Sequence, residues 1–528
     1  MRQFIVGVLL CAFAAAHAEG ACCTNPGGNC SDPVAGVCPA GSTLCADCVC
    51  GDAQYPVILD DSIIARELQS LVIHGGGFLG TTPSVTFTGP VPVTYTPSSP
   101  NIVSWTDARI ELTVPVGITS AYTVSVTAGA LTSAQVPVYI YRYRKQAIAG
   151  TGFNPRATQP KVSPYNSRAY LNVEFGVQFF SSPADASSIT THSPGNPTTP
   201  FFQIDPSGAA SQSSNLGEDT YITSDGDVWF TQGGGALSWA FLYTPSYGRI
   251  VRYTPGTGAF QCYHLQQAQC QPSGMVVVGT TLWVTCLNGV TGKLLEIPII
   301  AGTACGGTTV GVNPPWFAAY TTHTASGVGF GHVVSDGAGT LWLTPSWSPD
   351  LIASYNIGAG TFKYYPMPQY APNTFGVPGF NFPWNLIIDA QGFVWFTLHG
   401  PGFVVRWNAA RALSTTDCDA LSGGLNPCIV EVLDSGLDSI PHGIDIDTSG
   451  NVWWSTHGDG KVWRRNLNGY THSMASDSPA ASIADKKAGA GMALNNGDPS
   501  KVWFAEYNGD TSGGPTLTSY LGQFYQIP

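Results

Sequence analysis

Asp447-Thr448-Ser449-Gly450-Asn451-Val452-Trp453-Trp454-Ser455 reads as a tight turn followed by a short aromatic strand. Gly and Asp turn residues set between apolar, β-branched and aromatic positions are the local signature of a β-hairpin. The phrase recurs. Thr223 to Thr231, Val277 to Thr285, Asp336 to Thr344, Asp389 to Thr397 and Asp498 to Ala505 share the turn and the tryptophan-bearing strand. The six tryptophans are Trp229, Trp283, Trp342, Trp395, Trp453 and Trp503, spaced 54, 59, 53, 58 and 50 residues apart. A third strand follows in several units, as in Phe403-Val404-Val405-Arg406-Trp407 and Lys461-Val462-Trp463-Arg464-Arg465.

A unit of about fifty residues with several short strands cannot cover its own apolar face. Stacking units around an axis covers it, so the period predicts propeller blades. The tryptophans are then expected to pack between blades. Residues Arg144 to Gly217 carry strand-like Tyr170 to Phe175 and Phe201 to Ile204. They predict either a divergent seventh blade or strands that close the ring with the C-terminus. The expectation is an all-β chain with a six- or seven-bladed propeller over 144–528, clearest from 215.

Upstream, Val85 to Thr88, Ile110 to Val114, Tyr122 to Val126 and Val136 to Ile140 alternate apolar and polar residues with period two. That pattern predicts a β-sandwich over 54–143. The phrases Leu71-Val72-Ile73-His74-Gly75-Gly76-Gly77-Phe78 and Leu112-Thr113-Val114-Pro115 resemble IPT/TIG modules, which have an immunoglobulin-like fold. The resemblance implies a spacer or protein-binding unit and no catalysis. His74 is read as a polar turn residue at a strand end.

Residues 1–18 carry Arg2, an apolar run from Phe4 to Ala16, and Ala16-His17-Ala18, a signal-peptide pattern with cleavage expected after Ala18. No later segment is apolar enough over about 20 residues to span a bilayer. The expected location is therefore extracellular. Seven cysteines follow in 19–53: Cys22, Cys23, Cys30, Cys38, Cys45, Cys48 and Cys50. Such density in an exported chain reads as a disulfide knot. A zinc site is the rival, because Cys45 and Cys48 have metal-ligand spacing. Among the six later cysteines, Cys418 and Cys428 bracket a Gly/Asn/Pro loop and are the expected pair. A net charge of −12 argues against nucleic acid and anionic membranes as partners.

The repeat phrase, Pro441-His442-Gly443-Ile444 and Val502-Trp503-Phe504-Ala505-Glu506 resemble the virginiamycin B lyase (streptogramin lyase) group of propellers. The resemblance implies an elimination in which a histidine is general base, helped by a second histidine and a magnesium held by glutamates. It maps onto this chain in two registers. With His442 as the base, Trp384 stands where the other histidine belongs and Ile440 where a glutamate belongs. With His442 as the first histidine, Glu506 falls near the family's C-terminal glutamate and Ala490 takes the base position.

A local constellation stands beside it. His399 and His457 each follow a blade tryptophan by four residues, and Glu506 follows Trp503 by three. If neighbouring blades bring these ends together, His399, His442, His457 and Glu506 form a polar cluster that could act in acid–base chemistry or hold a metal. Two readings remain open. One is extracellular recognition of a small molecule, glycan or protein through a face that includes Trp384, Trp407 and Tyr507. The other is a metal-assisted lyase or hydrolase using the histidines and Glu506. Asp445, Asp447 and Asp459 invite a calcium reading, but Asp beside a hairpin turn more simply accepts backbone hydrogen bonds.

Overall fold

The computed structural model describes the chain from residue 56 onward, apart from segments of which the longest are 148–157, 193–202, 233–248, 305–319, 371–380, 477–486 and 509–518. The leader and the cysteine-rich stretch lie outside the described residues. Two compact units emerge. One comprises residues up to Arg142 with Arg464–Met474 and Tyr525–Pro528; the other comprises Tyr143–Trp463 and Ala475–Phe524.

In the first unit one sheet orders Val57–Ile58, Ser70–Gly76, Arg109–Thr113 and Ile102–Trp105. A second sheet orders Val93–Tyr95, Ser84–Thr88, Thr123–Ala128 and Val136–Ala147, with Ile63–Arg66 parallel to the last. The alternation expected from the sequence is present: Val85, Phe87, Ile110, Leu112, Val124 and Val126 all face one shared core with Ile73 and Phe78. Gly75 is required there. A Cβ on it would lie 2.0 Å from the Val57 carbonyl oxygen.

The second unit is built of successive antiparallel sheets: five have four strands, the one from Thr220–Ile222 has five, and Lys487–Asn495, Asp498–Asn508 and Ser519–Gln526 are three neighbouring strands of a longer sheet. Among the described residues there are seven, and their innermost strands are Thr158–Val162, Thr220–Ile222, Pro272–Val278, Phe330–Ser335, Pro383–Ile388, Pro441–Ile446 and Lys487–Asn495. These are blades 1 to 7. Blade 1 is the divergent sheet expected from residues 144–217. Near the chain's end, Tyr143 lies against Phe524 with ring centroids 5.2 Å apart, and Arg144 Nε donates to Gln523 Oε1 at 2.7 Å. Tyr143 and Arg144, at the end of the strand Val136–Ala147, thus meet the last strand, Ser519–Gln526, whereas residues 158–192 form blade 1.

The repeat tryptophans all lie on second strands and are at most 2% exposed. Trp229 packs with Met275 and Leu282 of the next blade, Trp283 with Phe330 and Val333, and Trp395 with Ile444 and Trp454. A buried aromatic removes roughly 150–250 Å² from water. At about 25 cal/mol per Å², each such contact contributes several kcal/mol to holding neighbouring blades together.

A second device repeats two residues after the tryptophan. Thr231, Thr285, Thr344 and Thr397 each hold a buried hydroxyl between two blades. In each case Oγ1 accepts from a backbone N–H in its own blade: Asp219 at 3.0 Å, Gly274 at 2.8 Å, His332 at 3.0 Å and Asn385 at 3.1 Å. It then donates to an innermost-strand carbonyl of the following blade. The acceptors are Ser273 at 3.2 Å, Gly331 at 2.6 Å, Trp384, and His442 at 3.2 Å. In blade 6, Ser455 Oγ accepts from Gly443 N at 3.2 Å.

In blades 3 to 6 the hydroxyls sit where the innermost strands break register. Pairing slips between Pro272 and Met275, Phe330 and Val333, Pro383 and Leu386, Pro441 and Ile444, and Gly489 and Met492. A bulge leaves residues without ladder partners, and the threonine supplies the missing acceptor. Blade-to-blade spacing there is tight. A Cβ on Gly274 would lie 2.5 Å from His332 Cα, and one on Gly443 would lie 2.4 Å from Met492 N.

Candidate functional site

The bulged residues are the ones the blades present to their common centre. Blade 4 supplies His332, blade 5 supplies Trp384, and blade 6 supplies His442. Blades 5 and 6 add a second residue by the same construction. Phe382 and Ile440 adopt left-handed backbone, with φ of 49° and 51°, directly before Pro383 and Pro441. This geometry is costly for side chains of that size. It aims the Phe382 carbonyl at His399 N (3.2 Å) and the Ile440 carbonyl at His457 N (2.9 Å). His399 and His457 are thus structural equivalents, as their spacing from Trp395 and Trp453 suggests.

The result is a continuous aromatic array. His332 meets Trp384 edge-on at 5.3 Å between centroids. Trp384 lies 5.2 Å from His399 and 5.5 Å from His442. His399 and His442 stack at 5.0 Å, and His442 and His457 stack at 6.1 Å. Phe382 closes one side against Trp384 and His399. His399, His332 and Trp384 are buried, whereas His442 and His457 keep partial exposure and face the solvent side of the array.

Burial in this apolar setting pushes His332 down to about 3, with the Lys161 charge adding to the effect. Burial also holds His399 and His442 well below the ordinary imidazole range, reinforced by the charge each histidine would place on its neighbours. These three rings are therefore neutral at pH 7. His399 Nε2, His442 Nδ1 and His332 Nε2 are buried atoms with no hydrogen-bond partner among the described residues. Neutral imidazoles with unused nitrogens can accept or donate a hydrogen bond, take up a proton, or ligate a metal.

Three of the expected site residues, His399, His442 and His457, come together with Trp384. Trp407 does not join them. It is fully buried, with its ring 5.5 Å from Tyr365 of blade 4, and so fills an interior position between sheets rather than an open face. Glu506 and Tyr507 are in the strand Asp498–Asn508, with Glu506 opposite Gly489, but their side chains lie outside the described residues. Ala490 occupies the bulge of blade 7, so the position matching His442 there carries no titratable group. Among the described residues, the one group with three ligand atoms within 4.8 Å of each other is elsewhere, at Asp60, His74 and His472.

Magnesium, implied by the family resemblance, prefers oxygen ligands in near-octahedral array. The described donors around His442 are imidazole nitrogens, so they do not fit that ion.

His332 and Phe382 escape a reading based on motifs. His332 sits in Phe330-Gly331-His332, which lacks the proline of the equivalent Pro383-Trp384-Asn385 and Pro441-His442-Gly443. Aligned by their bulges, the blades place Gly331 opposite Trp384 and His442, and His332 one residue further on, opposite Asn385 and Gly443. Asp447 is a turn residue, its Oδ1 accepting from Ser449 N and Asn451 N, whereas Asp445 lies within the strand Pro441–Ile446, where Oδ1 accepts from Ile446 N and Oδ2 from Leu494 N of the next blade. The expected Cys418–Cys428 disulfide is present, and Cys270–Cys286 is a second one that spacing alone did not reveal.

No family model matches this chain, and no curated protein does. Solved structures similar to it include a streptogramin B lyase, at 14% identity, covering 73% of this chain and 98% of that one, with a TM-score of 0.47. The virginiamycin B lyase from Staphylococcus aureus with quinupristin is similar at 15% identity, over 73% of this chain and 100% of that one, with a TM-score of 0.46. The extracellular domain of a one-component system from B. thetaiotaomicron is similar at 13% identity, over 89% of this chain and 52% of that one, with a TM-score of 0.45. The chain is an all-β protein with propeller-like blades, and that statement rests on its own sheet order and on the threonine links between consecutive blades.

Proposed function

We propose that this is an exported recognition protein whose propeller binds a ring-bearing small molecule at the Trp384–His442 array. The observation that carries the reading is the set of neutral imidazoles around Trp384, each with a buried nitrogen that has no partner among the described residues. Aromatic faces bind flat apolar or sugar surfaces, and a few convergent polar atoms orient the ligand. Partly exposed His442 and His457 supply the face, with Trp384 packed beneath His442; His399 Nε2 and His442 Nδ1 supply the polar contacts once a ligand opens the array. Export is supported by the leader-like 1–18 and by two disulfides in the described part of the chain. The sandwich over 54–143 is read as an IPT/TIG-like spacer.

The test is tryptophan-fluorescence titration of the full protein against a panel of glycans, lactones and aromatic metabolites. Binding that is abolished by Trp384→Ala and by His442→Ala supports the reading. A ligand whose affinity is the same in both variants overturns it.

A second reading, a lyase or hydrolase acting at the same array, is favoured by one feature. His442 is partly exposed, so its ring is within reach of a substrate proton, while its lowered pKa makes it a weak base. It predicts turnover of a bound lactone that is lost in His442→Ala while binding persists through Trp384.

A further inference from the structure

We propose that Asp60, His74 and His472 form a binding site for a divalent transition metal, with zinc as the fitting ion. The three residues are 14 and 398 positions apart in sequence and lie within the first compact unit. Asp60 follows the first short strand; His74 is on Ser70–Gly76; His472 is on Thr471–Ala475. His472 and Asp60 are buried, and His74 is partly exposed, which leaves one side open.

Distances suit a metal. Asp60 Oδ1 lies 2.9 Å from His472 Nε2 and 3.2 Å from His74 Nδ1. All three ligand atoms fall within 4.8 Å of one another. Zinc held at about 2.0–2.1 Å by nitrogen and oxygen in tetrahedral geometry places neighbouring ligand atoms about 3.3 Å apart. Small side-chain movements would therefore seat the ion.

The carboxylate is also over-committed without one. Oδ1 is approached by His472 Nε2, His74 Nδ1 and, at 3.2 Å, Asn466 Nδ2, whereas an oxygen offers two lone-pair directions. Oδ2 accepts from His74 N at 2.8 Å, which fixes the carboxylate plane. Tyr470 stacks on His74 at 4.8 Å and holds that ring in place. A cation between the three atoms would replace competing donors with coordination.

Two imidazoles and one carboxylate match the borderline-soft preference of zinc, and three protein ligands leave a fourth position for water.

The experiment is isothermal titration of the full chain with zinc and magnesium, paired with cobalt absorption spectroscopy. One equivalent of zinc should bind, and magnesium should not compete. The cobalt complex should show d–d bands without a thiolate charge-transfer band. Asp60→Asn and His74→Gln should weaken zinc by more than the roughly 10–100-fold that loss of an outer-shell partner costs. His442→Gln should leave it unchanged. His74→Gln, at a partly exposed position, keeps the test valid if the Asp60 variant fails to fold. Absence of zinc binding, binding carried by cysteine thiolates, or binding indifferent to His74→Gln would each overturn the proposal.

Discussion

Trp453 donates its indole N–H to Asp447 Oδ2 at 2.9 Å, six residues back across the hairpin turn. The same carboxylate oxygen accepts from Asn451 Nδ2, and the other oxygen closes the turn. Blade 5 repeats the arrangement between Asp389 and Trp395 at 2.8 Å. One aspartate thus fixes both the turn and the rotamer of the tryptophan that packs between blades. Asp447→Ala should cost about 1–3 kcal/mol, the range for stranding buried donors. Urea denaturation checks this, and added calcium should not change the difference between variant and wild type.

Thr285 should matter more than its size suggests. Removing its hydroxyl strands the Gly274 N–H and the Gly331 carbonyl together. Thr285→Val is expected to lower stability by about 1–3 kcal/mol, whereas Thr285→Ser should retain most of it. Equal loss in both variants would mean that the methyl group, not the hydroxyl, holds the blades together.

Acid should destabilise the propeller well before its carboxylates are all protonated. His332, His399 and His442 resist protonation when folded, while unfolded imidazoles titrate near 6.5. Stability is unaffected above that pH. It falls as pH drops below 6.5, because the unfolded chain takes up protons that the folded one refuses, and for His332 the fall continues to about 3. Asp219, raised by burial to about 6, works in the opposite direction between about 6 and 3.8 and offsets part of the loss. Denaturation midpoints measured between pH 7 and 4 should decline, and His332→Leu should flatten the decline.

The Cys270–Cys286 disulfide closes a loop of sequence separation 16. For a loop of about 15 residues the chain-entropy contribution is about 3 kcal/mol. Cys270→Ser with Cys286→Ser should lower the thermal midpoint by several degrees. No change would mean that the buried contacts around Trp229 and Tyr263 in the same cluster suffice.

Much of the fold is legible in the sequence because its causes are local. Gly450 and Gly392 adopt positive φ in hairpin turns, as the Asp-x-x-Gly phrases imply. The aromatic strand after each turn must be buried, so Trp395 and Trp453 announce both the blade and its packing. The candidate site is only half legible. His399, His442 and His457 stand out by their spacing from the tryptophans. His332 stands on the same bulge without a motif, and His74, expected at a turn, lies within a strand and pairs with Asp60.

The sequence by itself determined that this chain is built of repeated β-hairpins, that six tryptophans lie inside it, and that Cys418 pairs with Cys428. Those features follow from turn chemistry, period and spacing, which act over a few residues. Only the tertiary structure decided which side chains meet. Ring geometry brings the bulges of blades 4, 5 and 6 together, placing Trp384 against His332, His399 and His442, with His457 on the far side of His442. It also sends Trp407 into the interior, and packing within the first unit carries His472 back to Asp60 across 412 positions. Neighbours of that kind are fixed by how sheets pack, and no local pattern along the chain encodes them.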